Sequence, residues 1–124
     1  IIALIDKYDC RKYVYFMTNN VSLLQMAQEL APDIARCVGY AKSNPDMVDL
    51  AVKYDCKKVQ LFKPYFDQDM IDRAHKAGIK CNVFFSDDPE ETVKFLDMGI
   101  DTILTDDYNR ISQAVETYKK SQGK

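Results

Sequence analysis

Apolar, β-branched or aromatic runs start at residues 13, 35, 57, 79 and 101 of this chain, one every 22 residues: Tyr13–Met17 (YVYFM), Ala35–Gly39 (ARCVG), Lys57–Phe62 (KKVQLF), Ile79–Phe85 (IKCNVFF) and Asp101–Leu104 (DTIL). Runs this short read as strands, and the stretches between them are too long for hairpin turns. The intervals suit one helix and two turns each. Strands separated by single helices run parallel and are joined by right-handed crossovers. A recurrence of this kind leaves little besides a layered or closed β/α architecture.

The intervening segments have helical spacing and helical ends. SLLQMAQEL sets Leu23, Leu24, Ala27 and Leu30 on one face. SNPDMVDLAVKY offers a polar cap, Pro45 near the first helical position, and apolar Met47, Val48, Ala51 and Val52. DQDMIDRAHKAG opens on Asp67 and stops at Gly78, and DDPEETVKFLDMG has Asp88 as cap, Pro89 next and Gly99 as terminator. A last helix is expected from Asp107 to Lys119, with Ile111, Ala114, Val115 and Tyr118 inward and SQGK frayed. KYDCRKYVYF (7–16) returns as KYDCKKVQLF (53–62): a helix ends at Lys-Tyr, a turn follows, and a strand begins. The basic pairs Arg11-Lys12 and Lys57-Lys58 read as solvated turn residues.

Two α/β architectures with five parallel strands fit: the carboxyl-terminal part of a (β/α)8 TIM barrel, which needs about 250 residues when whole, and an open flavodoxin-like sheet complete in itself. The 124 residues form a single segment, 47% hydrophobic and 29% charged, which describes one globular unit or a piece of one. A helix precedes the first strand, as a cut within a barrel would leave it. A chain that starts at Ile1 rather than Met reads as an excised or processed segment, and no signal-like stretch gives a localisation.

Lys and Arg number 17 against 19 acids, with no basic run, so no nucleic-acid footprint is present. No apolar stretch approaches the roughly 20 residues of a membrane span. Four cysteines lie far apart without a C-x-x-C pair and read as buried thiols.

The stretch from Met70 to Asp107, MIDRAHKAGIKCNVFFSDDPEETVKFLDMGIDTILTDD, resembles the closing segment of glycerophosphodiester phosphodiesterases. Ala74, His75 and Gly78 match that family's Ala-His-x-x-Gly helix end. Asp87, Asp88, Pro89 and Glu90 match its Asn-Asp-Pro-Glu turn, and Gly99, Asp101, Ile103, Thr105 and Asp106 match its final strand. MTNNVSLLQMAQELAPDI resembles an earlier strand end, helix and Pro. Phe84 stands where the family has Trp, Thr18-Asn19-Asn20 where it has Ser-Phe-Asp, and Asp107-Tyr108 where it has Arg-Pro.

The resemblance implies a barrel that hydrolyses glycerophosphodiesters to glycerol 3-phosphate and an alcohol. It implies a divalent cation, calcium or magnesium, held by Glu and Asp, and two histidines in acid/base roles. The family's His-Arg, Glu-x-Asp, His-Asp and Glu-x-Lys motifs are missing from this sequence, and its single histidine, His75, reads as a structural helix residue. The chain is therefore expected to hold no catalytic residue and no metal ligand, and to be silent alone. Thr18, Lys63, Phe84 and Asp106 are its expected substrate-pocket residues, with substrate bound only when the barrel is whole. Of Phe84 and Phe85, strand alternation sends one to the barrel interior or mouth and one under the helices. Asp88 and Asp106 or Asp107 read as helix caps in preference to a cation site. Open edges imply self-association or pairing with missing strands. The alternative from another class is a self-standing noncatalytic α/β binding or interaction module.

Overall fold

The computed structural model describes residues 1–43 and 45–123. Its elements are α1 (Ile2–Lys7), β1 (Tyr15–Thr18), α2 (Val21–Leu30), β2 (Ala35–Gly39), α3 (Met47–Lys53), β3 (Lys58–Leu61), α4 (Gln68–Lys76), β4 (Lys80–Val83), α5 (Pro89–Asp97), β5 (Thr102–Ile103) and α6 (Tyr108–Ser121), with a 3-10 turn at Arg11–Tyr13. All five strands are parallel, in the order β1-β2-β3-β4-β5, so β1 and β5 are edges. The sheet is an α/β partial barrel, not a closed ring.

One cluster of buried residues joins sheet to helices. Val38, Val59, Leu61, Cys81 and Val83 supply it from the strands, and Met47, Val48, Ala51, Met70, Ile71 and Ala74 from α3 and α4. An open doubly wound sheet would bury both faces of its strands under helices. Here the alternate positions, Lys58, Gln60, Lys80, Asn82 and Thr102, are polar and only half-buried or exposed. The sequential strand order and single core remove the flavodoxin-like alternative.

Four helices leave for the next strand by the same exit. Cys10, Cys56, Ile79 and Ile100 donate their N–H to the carbonyls of Ile5, Ala51, Ala74 and Phe95, each closing a 6→1 turn. The residue before each is left-handed: Asp9 (φ 49°), Asp55 (φ 48°), Gly78 (φ 74°) and Gly99 (φ 95°). This Schellman geometry is what the KYDC repeat encodes, with Asp in the place glycine takes twice later.

Several expectations need correction. β1 begins at Tyr15, because Arg11–Tyr13 make a 3-10 turn. Leu24 is buried, but Leu23 and Leu30 are 51% and 64% exposed, because α2 lies beside the edge strand β1, and these two residues only border an open hollow with Ile1 and Ile2. Val52 of α3 is exposed as well. Pro45 precedes the cap, Asp46, whose carboxylate accepts from the Val48 and Asp49 N–H groups. α6 continues to Ser121, and of its expected inward residues only Ile111 is fully buried. Lys58 lies in β3, as the Lys57–Phe62 run expects, and not in the turn in which the basic pair Lys57-Lys58 is expected.

Candidate functional site

The strands run in parallel from a base, where they begin, to a mouth, where they end. Along β3 and β4 the non-core face repeats one pattern: Lys58, Gln60, Phe62 and Lys80, Asn82, Phe84, in which Lys58 pairs with Lys80 and Gln60 with Asn82 in the ladder. Three tiers result, basic at the base, amide in the middle and aromatic at the mouth. The middle tier is hydrogen-bonded across three strands. Thr102 Oγ1 donates to Asn82 Oδ1 at 2.8 Å, and Asn82 Nδ2 donates to Gln60 Oε1 at 3.0 Å.

At the mouth the aromatic tier widens. The Tyr40 ring stacks on Tyr65 at 4.5 Å and on Phe62 at 5.6 Å, and Phe62 lies 5.4 Å from Phe84. Tyr65 returns to this group because its N–H donates to the Phe62 carbonyl at 2.7 Å in a tight turn. Burial and the neighbouring Tyr65 push the Tyr40 hydroxyl above its ordinary pKa. A cleft of about 430 Å3 opens here, lined by Thr18, Asn19, Tyr40, Gln60, Phe62 and Phe84, among others. Gly39 forms part of its floor, and a Cβ there would stand 3.2 Å from the Met17 methyl. A larger hollow of about 530 Å3 lies where α5 and α6 meet and shares no lining residue with this cleft.

Phe85 does not pack under the helices as strand alternation requires. Its φ is 80°, a conformation rare for an aromatic residue. The alternation is broken there, so the Phe84 and Phe85 rings stand together, 6.5 Å apart and both more than a third exposed.

Beyond Phe85, carboxylates organise the loops. Asp87 Oδ1 accepts from Thr105 Oγ1 at 2.7 Å and from the Asp106 N–H at 2.8 Å, joining the loops after β4 and β5. These two bonds hold the Asp87 carboxyl below its ordinary pKa. Asp88 accepts from the Glu90 N–H and Asp107 from the Arg110 N–H, so both are helix caps. Lys63 Nζ lies 2.7 Å from Glu91 Oε1 and 5.5 Å from the Phe85 ring centre. Glu91 also accepts from the buried Ser86 hydroxyl at 2.7 Å. Burial alone would raise the Glu91 carboxyl, but the bonds from Lys63 and Ser86 bring it below its ordinary value.

Thr18 and Phe84 thus share one cleft. Lys63 is engaged by Glu91, and Asp106 meets Asp87 through its backbone N–H. Thr18 Oγ1 also accepts from the Asn20 N–H, shaping the turn into α2. Tyr40, Gln60, Phe62 and Tyr65 were not singled out from sequence. The signal for part of the group was present, since Lys-x-Gln-x-Phe (58–62) returns as Lys-x-Asn-x-Phe (80–84).

His75 is remote from the mouth. Its Nε2 lies 2.9 Å from Asp101 Oδ2, which also accepts from the Cys81 N–H at 2.8 Å, at the base where β4 and β5 start. Among the described residues, His75, Cys81 and Asp101 are the one trio close enough to hold a metal ion. Cys81 is fully buried, and burial pushes its thiol up to about 12, while the carboxylate already serves two nitrogens. The trio reads as a clasp that fixes α4 to the base of β5.

The sequence profile of the glycerophosphoryl diester phosphodiesterase family matches residues 1–110. Among curated proteins no sequence matches the chain. Among solved structures, a protein assigned as a glycerophosphoryl diester phosphodiesterase from Silicibacter pomeroyi has a TM-score of 0.83 at 16% identity, over 94% of this chain and 42% of that one. A protein assigned as a glycerophosphodiester phosphodiesterase from Galdieria sulphuraria gives 0.77 at 21% identity, over 95% and 48%. A phosphodiesterase from Oleispira antarctica, solved with its product sn-glycerol-3-phosphate, gives 0.71 at 24% identity, over 82% and 41%. At these identities the likeness concerns the fold, and the chain spans less than half the length of each of the three.

Proposed function

This chain belongs to the glycerophosphoryl diester phosphodiesterase family, and we propose that it is the carboxyl-terminal portion of such an enzyme, supplying one wall of the substrate site. The observation that carries this reading is a five-strand parallel sheet with two unpaired edges, whose mouth cleft runs from the edge strand β1 to the end of β4. The aromatic tier and the Thr18–Asn19 strand end form a preshaped surface for the organic part of a glycerophosphodiester. Splitting the diester to glycerol 3-phosphate and an alcohol needs general acid/base groups near neutral pH. The single histidine, bound to Asp101 at the base, does not serve.

A divalent cation, calcium or magnesium, belongs to the family's reaction. Carboxylates on the described mouth loops do not fit one: Asp87, Asp88 and Asp107 each hold backbone N–H groups, and no three of the described acids converge. Any cation is accordingly assigned to staves outside residues 1–124, which would continue the sheet past β1 and β5. Without them, the same edges lead to self-association. No described helix is long and apolar enough to cross a membrane.

The test is release of glycerol 3-phosphate from a glycerophosphodiester, by this chain alone and by the chain continuous with its preceding coding sequence. The longer protein is expected to turn over, and Phe84→Ala in it to weaken substrate binding about tenfold. The 124-residue chain alone is expected to be silent. Turnover by the short chain, or none by the longer one, overturns the reading, and the second result leaves a noncatalytic binding module.

A further inference from the structure

The base of the sheet poses a problem that the mouth does not. Lys58 and Lys80 are ladder partners on β3 and β4, and both occupy the face turned away from the helix-packed core. The Lys58 ammonium lies 4.5 Å from the centre of the Tyr15 ring. Among the described residues, neither lysine is within ion-pair distance of a carboxylate. Asp55 is 3.1 Å from Lys57, and Asp101 is held by His75 and the Cys81 N–H. With Lys57, Asn82 and Thr102 they border a hollow of about 420 Å3.

In the open sheet Lys80 is exposed and Lys58 is half-buried against the Tyr15 ring, so solvent can reach both ammonium groups. Closing the ring removes that solvent, because barrel interiors are packed with side chains and are not pores. Two like charges on neighbouring strands repel, and burying either one without a counter-charge is strongly unfavourable. The middle tier does not relieve them, since Gln60, Asn82 and Thr102 bond to one another. Apolar closing strands would strand both cations.

The geometry points to an ion-pair tier at the base of the barrel: the polypeptide that closes this sheet presents carboxylates to Lys58 and Lys80. This rests on the proposed barrel, and it concerns the end of the strands opposite the mouth. These carboxylates would lock the two halves in register and take no part in hydrolysis.

The experiment uses the chain expressed with its preceding coding sequence, and the 124-residue chain beside it, as wild type, Lys58→Glu/Lys80→Glu and Lys58→Met/Lys80→Met. Thermal midpoints and glycerol 3-phosphate release are measured, with and without inorganic phosphate. In the long protein the Glu pair is expected to lower the midpoint by about 10 °C or more, and the Met pair by about half as much, because it leaves opposing carboxylates unpaired. The short chain should shift by no more than about 2 °C in either variant, its lysines being open to solvent. A Met pair as stable as wild type, or a Glu pair without effect, overturns the ion-pair tier while wild-type turnover keeps the barrel reading intact. A wild-type midpoint that depends on added phosphate assigns the tier to a small anion and also overturns it. A long protein that neither turns over nor gains stability over the short chain defeats both readings.

Discussion

The unit around β1 and α2 and the unit around β4 and α4 are both strand-and-helix units of one parallel sheet, but they bury and anchor their helices differently. α4 fully buries Ile71 and Ala74 and nearly buries Met70, while α2 buries only Leu24 and leaves Leu23, Met26 and Leu30 outside. Polar anchoring differs in the same direction. Arg73 of α4 bridges Asp46, Asp49 and Asp69 at 2.6, 2.9 and 2.8 Å, whereas α2 has one internal pair, from Gln25 to Glu29. Burial follows position, since β4 has a strand on each side and β1 has one, and polar anchoring follows composition, since α2 carries one charged residue, Glu29, against Asp69, Asp72, Arg73 and Lys76 in α4. An apolar helix stripe becomes core only where a neighbour arrives to cover it.

The largest break in this contrast is expected from paired truncations. Ile71→Ala should cost about 3 kcal/mol, and Leu30→Ala within about 0.5 kcal/mol of zero, read by urea unfolding. Equal costs would mean that α2 is covered in solution. The next largest concerns two arginines. Arg36 is buried and donates to the carbonyls of Tyr54, Pro32, Ile34 and Asp55, so Arg36→Ala should cost about 3 kcal/mol. Arg11 makes exposed contacts with Asp6 and Asp33, and its truncation should cost far less and lose its effect in high salt.

An acid titration sharpens the contrast at the mouth. Asp87 and Glu91 both have folded-state pKa values below the ordinary 3.8 and 4.5. The unfolded chain therefore takes up protons first as pH falls. Their contribution is complete above about pH 5 and is lost as pH drops through the lowered folded values. Melting midpoints should fall on the acid side, and Asp87→Asn with Glu91→Gln should flatten that slope. The smallest effect is at the left-handed helix exits. Asp9→Gly should add about 0.5–1 kcal/mol by relieving the conformation glycine adopts freely. Asp55→Gly should add less, because it also removes the partner of Lys57.

Much of this fold was legible because each unit carries its own punctuation. The caps Asp67, Asp88 and Asp107 and the exits Gly78 and Gly99 stand where their local chemistry places them. Residues whose state depends on distant neighbours were not legible. Nothing within α2 distinguishes Leu24, which meets the core, from Leu30, which meets solvent. Neither Phe84 nor Phe85 packs under the helices, because the left-handed backbone of Phe85 interrupts the strand period. At the mouth, Thr18 and Phe84 could be named from resemblance. Tyr40 directly follows β2 and Tyr65 stands in the bend after β3, both outside the strands themselves, and only folding brings them onto Phe62. The basic pair Lys57-Lys58 spans the boundary of β3, so its two residues fall on either side of that boundary.

The free flanks of the sheet have one more consequence. β1 offers four residues for pairing and β5 two, and because all strands point the same way, the two flanks are unlike surfaces. Joining one copy's β1 to another's β5 is a head-to-tail contact, which does not satisfy itself in a twofold pair. Such a contact grows into filaments unless its rotation closes a cycle, and the shortness of β5 is the feature that restrains it.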